Sequence, residues 1–366
     1  MQAKKLVGGS ESKSKRLQRL QHALSQMPES KQVTVLPDYF VDRFVRLDNF
    51  EDLARAVEQK GEEGGGGSLR GIRQSEVKGG NAVNLAYALG TLRVKTNLIT
   101  IANSLPAEML RSVFGKLPTV KLDILEGDPG FTVAFEFKKN NRIVNVMVSD
   151  AGALKNFDQT WLKEKNWTDI ASSGLVCLVN WSSIIRATDL TESVFTFARE
   201  KGVETFFDPA DVSEKAEDLP ELKRRVLDKG LIKYFSMNDN EARIMSKVFA
   251  GHRLAQRYSS EDLQRTIKVL ADVTGERVDI HTHRFSMTCL EKDVSVAQCH
   301  KLEQKTVTGA GDVWDAADLI GYKAGLDDAD RLTLANGAAG LFVSREDAVP
   351  PTTPEVLNFL QNNYVD

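Results

Sequence analysis

The stretch Thr306-Val307-Thr308-Gly309-Ala310-Gly311-Asp312-Val313-Trp314-Asp315-Ala316-Ala317 decides the reading of this chain. Two glycines on either side of an alanine, followed by an acid that opens a helix, let main-chain N–H groups crowd around an anion at the positive helix end. A phosphate belongs at such a turn. Trp314 stands where the third glycine of a dinucleotide fingerprint would be, so the turn is not of that kind. An acid beside a phosphate repels it unless it takes a proton from the attacking group, which points to Asp312 as a general base. The plainer reading is that Asp312 complements the helix dipole, an effect of about 0.3–1 kcal/mol.

Outward from this turn the pattern is that of alternating strands and helices. The short runs Val33–Pro37, Thr96–Ile101, Leu175–Val179, Glu204–Phe207, Leu231–Ser236 and Arg277–His281 read as strands, with Thr96–Ile101 and Leu175–Val179 of the kind buried on both faces. Helical stretches stand between them: near 48–60, from Asn81 with Gly90 closing it, after Leu219, and from Asn240. This order predicts an α/β fold with a mainly parallel sheet and helices on both faces. Residues 131–138 and 142–149 differ: they form a β-hairpin with Phe131, Val133, Phe135 and Phe137 on one face. That aromatic face needs a ligand, a lid contact or a partner subunit to cover it, or else packs on the main sheet. Four glycines at 64–67 make 61–71 a loop rather than a phosphate loop, because no Gly-Lys-Ser/Thr follows.

With 48 Lys+Arg against 51 Asp+Glu, a net charge of −3 and 42% apolar residues, the 366-residue chain has a globular composition and is neither fibrous nor disordered. No run approaches the ~18 apolar residues of a membrane span, and the N-terminus lacks the apolar core of a secretory signal, so a cytoplasmic address and no membrane partner are expected. Cys177, Cys289 and Cys299 are odd in number and widely spread, which fits a reducing compartment. Residues 1–31 carry seven basic and two acidic side chains, or +5, leaving −8 for the rest. Leu17, Leu20, Leu24 and Met27 recur there at helical spacing, which favours an amphipathic docking helix over a nucleic-acid arm.

Gly79-Gly80-Asn81…Asn84, Asn238-Asp239-Asn240-Glu241 and Gly309-Ala310-Gly311-Asp312, in this order, resemble the ribokinase-like (PfkB) carbohydrate kinase family from about Val33 to the C-terminus. The resemblance implies a Rossmann-like three-layer α/β/α domain over 32–366 with a small β-strand lid, its lid segments near 39–78 and 124–149, and residues 1–31 as an N-terminal extension. It implies transfer of a phosphoryl group from a nucleotide, ATP by default with ADP open, to a hydroxyl of a sugar or nucleoside. Asp312 then matches the base, and Gly309, Ala310 and Gly311 the anion hole. Asp42, Gly79, Gly80, Asn81 and Asn84 match the acceptor site, and Asn238 and Glu241 the pair that places Mg²⁺ through water. Thr308, Asn238 and Asn336 are assigned to the nucleotide, with His281 or Arg284 near its phosphates. A homodimer through the lid strands is a further expectation, and no nucleic-acid partner is expected.

Asn180 and Asp208 end two strands, where ligands of open α/β sheets gather, and so join the site candidates. Thr306 stands where the family often has an acid, Asp318 where an apolar helix residue is usual, and 280–284 where many members have a Thr-x-Gly turn. His281, His283, Cys289, Cys299 and His300 do not have zinc-finger spacing, and two histidines two apart on a strand share one face. A protein that kept this fold to sense a sugar or nucleotide without turnover is the alternative from another class.

Overall fold

The computed structural model describes residues 13–25, 31–62, 65–139 and 142–363. Lys4, Lys5, Met27, Gly64 and the hairpin turn at 140–141 lie outside them. Nine strands form the main sheet in the order β13-β12-β11-β10-β9-β8-β1-β4-β5. They are β1 (Val33–Leu36), β4 (Thr96–Ala102), β5 (Val120–Glu126), β8 (Leu175–Val179), β9 (Glu204–Asp208), β10 (Tyr234–Asn238), β11 (Arg277–His281), β12 (Phe285–Leu290) and β13 (Asp293–Gln298). Pairing is parallel from β5 to β11, and β12 and β13 close that edge as an antiparallel hairpin.

Period-two alternation sends each strand's side chains to two different cores. In β8, Val176 and Leu178 join one core, shared with α5 (Glu164–Ser172), α6 (Ala187–Glu200), α7 (Leu219–Leu222), α8 (Asp239–Ala250) and α9 (Ser260–Thr274). Leu175, Cys177 and Val179 face the other. That second core takes α1 (Lys13–Ser25), α3 (Asn81–Thr91), α4 (Ser104–Phe114), α10 (Ala310–Lys323), α11 (Asp328–Val343) and α12 (Thr353–Asn363). The result is three layers, α/β/α. In α1, Leu17 and Leu20 are buried in the second core, while Arg16 and Arg19 both reach the Asp330 carboxylate at the start of α11. Among the described residues no helix is long and apolar enough to cross a membrane.

A separate four-stranded sheet, ordered β3-β2-β6-β7, stands apart from the main one. Its strands are β2 (Phe40–Arg46), β3 (Arg73–Gly79), β6 (Gly130–Lys139) and β7 (Arg142–Asp150). The hairpin therefore does not pack on the main sheet. Its aromatic face is partly covered by α2 (Phe50–Glu62), whose Phe50 ring lies 5.6 Å from Phe135 and 5.4 Å from Phe137. Phe131, Val146 and Val148 remain exposed on that same face.

Several expectations change. The second lid segment begins at Gly130 rather than near 124, because 120–126 pair in parallel with β4 as the edge of the main sheet. The strand at 73–79 was hidden by its polar sequence, and the one read at Leu231–Ser236 lies at Tyr234–Asn238. Gly90 does not end its helix; it lies inside α3, where a Cβ would stand 2.6 Å from Val120 Cγ2. His281 ends β11, so His283 falls in the following turn and the two histidines share no strand face.

Candidate active site

The N-termini of α3 and α10 meet beyond the carboxyl ends of β1, β8 and β9. Gly309, at φ +88°, supplies the left-handed step that starts α10, a conformation costly for any residue with a Cβ. The leading amides of a helix have no acceptor within it. Ala310 N–H turns back to the Val307 carbonyl at 3.1 Å, so of the residues assigned to the anion hole its amide is already engaged in this form. Gly311 and Asp312 follow at the open end, with Thr308 part-exposed just ahead of the turn.

Asp312 is buried in this junction. Asn81 and Asn84, three apart on one face of α3, donate to its two oxygens: Asn81 Nδ2 to Oδ1 and Asn84 Nδ2 to Oδ2, each at 3.1 Å. Burial, reinforced by Asp208 and Asp38, holds its carboxyl well above the ordinary range. A carboxyl so placed has a high proton affinity.

Asp38 is the anchor that sequence reading passed over. It is fully buried at the end of β1 and accepts from the N–H groups of Asn81 and Ala82, each at 2.7 Å, capping α3 from outside the helix. Asn180, in left-handed conformation after β8, donates to the same carboxylate at 2.8 Å. Asp208 ends β9 and accepts from Ala210 N–H at 2.8 Å, and burial lifts it to about 6. Asp315, three residues after Asp312, meets Ser236 Oγ at 2.5 Å and is held high by burial and by Asp208. The sequence signals for these groups were an acid at a strand end and an i, i+3 acid pair.

On the lid side, Asp42 lies on β2 beside the Thr132 hydroxyl, and burial lifts it to about 6. Lys78, at the end of β3, donates to Asn84 Oδ1 at 2.8 Å; burial lowers its ammonium to about 8, against the pull of Asp312 and Asp42. Gly79 and Gly80 bring the backbone against Asp42 and Asp38 respectively.

Three assigned residues hold bonds to the protein itself. Asn336 Oδ1 accepts from Trp314 Nε1 at 2.9 Å, and its Nδ2 donates to the Ala297 and Gln298 carbonyls at 3.2 and 3.1 Å. Buried, with its amide nitrogen donating to two carbonyls, it ties α10, α11 and β13 together. Asn238 and Glu241 form the capping box of α8: Asn238 accepts from the amides of Asn240 and Glu241, and Glu241 takes both Asn238 N–H, at 2.7 Å, and Asn238 Nδ2, at 2.6 Å. Each Glu241 oxygen keeps a second lone pair. Burial and Asp208 hold its carboxyl well above the usual range, so this acid-rich end suits a hard cation. Among the described residues no three His, Cys, Asp or Glu side chains converge on one point, and so a Mg²⁺ fits there only through water.

His281 packs against the anion turn: a Cβ on Gly311 would stand 3.0 Å from its Cε1, and its ring lies 5.3 Å from Trp314. Burial lowers it to about 4, so it sits there neutral. Just beyond, a cleft of about 930 Å³ is lined by His283, Arg284, Phe285, Cys299, Lys301 and their neighbours.

A family model described as prokaryotic ketohexokinase matches residues 38–364. Curated proteins yield no match. Among solved structures, an Arabidopsis thaliana ribokinase complexed with ribose and ATP superposes with a TM-score of 0.70 at 16% identity, covering 91% of this chain and 99% of that one. An adenosine kinase from Sinorhizobium meliloti gives 0.67 at 18%, covering 92% and 99%. A putative ribokinase II from E. coli, in complex with ATP and Mg²⁺, gives 0.67 at 16%, covering 91% and 100%. The fold is ribokinase-like.

Proposed function

The chain belongs to the prokaryotic ketohexokinase family and is a phosphotransferase with an alcohol acceptor, and on that premise we propose that it moves the terminal phosphoryl group of ATP to a hydroxyl of a ketohexose, with Asp312 as base. The observation that carries this reading is the Asp312 carboxylate, buried at the start of α10 and held by two amides of α3.

The acceptor hydroxyl lies between Asp312 and the α10 turn. As its oxygen attacks phosphorus, its proton passes to Asp312, and the first-turn amides of α10 hold the charge on the transferred group. Asp42, Asn84 and the backbone at Gly79 and Gly80 orient the sugar, since a site built for hydroxyls leaves buried groups unpaired when one is missing. The nucleotide lies along the His281 side, its base toward the cleft that carries Arg284 and Lys301. Magnesium, when bound with the nucleotide, neutralises phosphate charge, and Glu241 and Asn238 would reach it through water. The lid sheet covers the acceptor and excludes water. Two copies clasp through the exposed Phe131, Val146 and Val148; an unchanged mass by light scattering for Phe131→Asp would dismiss that clasp.

The test is a panel of ketohexoses, aldoses and nucleosides, each with ATP or ADP, scored for phosphorylated product by mass. A phosphorylated ketohexose with ATP is expected. Binding of sugar or nucleotide without any product would instead establish a non-catalytic sensor.

A further inference from the structure

The orientation of one amide in this site is set from the lid. Asn84 Nδ2 donates to Asp312 Oδ2 at 3.1 Å, and Asn84 Oδ1 accepts from Lys78 Nζ at 2.8 Å. An ammonium has three donors and no acceptor, so it can meet only the oxygen end of an amide. A flipped Asn84 would set NH₂ against the ammonium and its carbonyl against the carboxylate. The ammonium is held in turn over the Tyr87 ring, 4.4 Å from the centroid, and Tyr87 stands three residues from Asn84 on α3.

We propose that Lys78 is a positioning residue for the base: its ammonium locks the Asn84 amide with the NH₂ toward Asp312 and places a positive charge one amide away from that carboxylate. This rests on the reading of Asp312 as base. The groups around Asp312 are Asp38 after β1, Asp208 at the end of β9, Asp315 on α10, Asn81 and Asn84 on α3, and Lys78 on β3; Asp42 on β2 faces Lys78. The acids among them oppose ionisation of Asp312, and Lys78 favours it. Because the ammonium rides on a lid strand, readiness of the base depends on where β3 sits.

The experiment compares Lys78→Met, which removes donor and charge, with Lys78→Arg, which keeps both. One readout is the pH dependence of kcat. The other needs no turnover: the Asp312 carboxyl is titrated by ¹³C NMR in aspartate-labelled protein, its resonance identified by loss in Asp312→Asn. In Lys78→Met both the titration and the acid limb of kcat are expected to move up by about 1–3 pH units, the usual effect of losing an adjacent opposite charge, and Lys78→Arg restores them. Curves that superimpose on those of the parent overturn the proposal. Should Lys78→Met fail to fold, Lys78→Gln, which keeps a donor and loses the charge, carries the same titration. Full turnover in Asp312→Asn would sink the base assignment instead, while the NMR titration still judges Lys78.

Discussion

Gly79 lies so close to Asp42 that a Cβ built on it would overlap the carboxylate itself. The two residues belong to neighbouring antiparallel lid strands, and the missing side chain of one makes room for the acid of the other. Gly79→Ala is therefore expected to displace Asp42, raising KM for the acceptor, and to cost about 1–3 kcal/mol of stability as an overpacked site. Urea unfolding and acceptor kinetics on the same variant check both.

Burial lifts Asp42 to about 6, so its carboxylate is lost as the pH falls through that value. A neutral acid no longer offers two acceptor oxygens to sugar hydroxyls. Acceptor KM should rise below about pH 6 with a one-proton dependence that Asp42→Asn abolishes. The linked stability has the opposite sense: the folded state holds this proton more tightly than the unfolded chain, so the Asp42 contribution is present at low pH and fades as pH rises from about 4 to about 6.

Asp312→Asn keeps shape and removes the proton acceptor. Turnover should fall on the order of 10²–10⁴-fold with little change in nucleotide binding. Single-turnover kinetics with calorimetric nucleotide binding would show the split, and a loss confined to binding would contradict the assigned role.

Arg331 is fully buried between Asp318 and Asp279, with Nη2 2.9 Å from Asp279 Oδ1 and its guanidinium 4.0 Å from the Tyr322 ring centroid. Arg331→Met would strand two acids in the core, at a cost of about 3–5 kcal/mol in urea unfolding. Adding Asp318→Leu and Asp279→Val should recover most of that loss, because the repulsion and desolvation then vanish together.

Much of the site was legible as residue types. Asn81 and Asn84 meet Asp312, Asn180 meets Asp38 beside them, and the glycine turn opens a helix. What the pattern hid was the use of each polar atom. Asn336 and the Asn238–Glu241 pair read as ligands and hold hydrogen bonds to the protein, and Asp38, Lys78 and Asp315 drew no assignment although they shape the field around Asp312. The acid at 318, out of place in an apolar helix, is explained by Arg331, a partner thirteen residues on.

The alternation of strands and helices, the two-sided burial of β4 and β8 and the glycine turn before α10 are determined by the sequence by itself, since periodicity and turn chemistry act over a few neighbouring residues. The separate lid sheet, the burial of Asp38, Asp208 and Asp315 with Asp312 and the orientation of Asn84 were decided by tertiary structure alone. The bond from Asn84 to Asp312 joins residues 228 apart, and the charge state of Asp312 depends on groups brought in from beyond the ends of β1 and β9. Desolvation and through-space charge belong to the packed molecule, and no local pattern carries them.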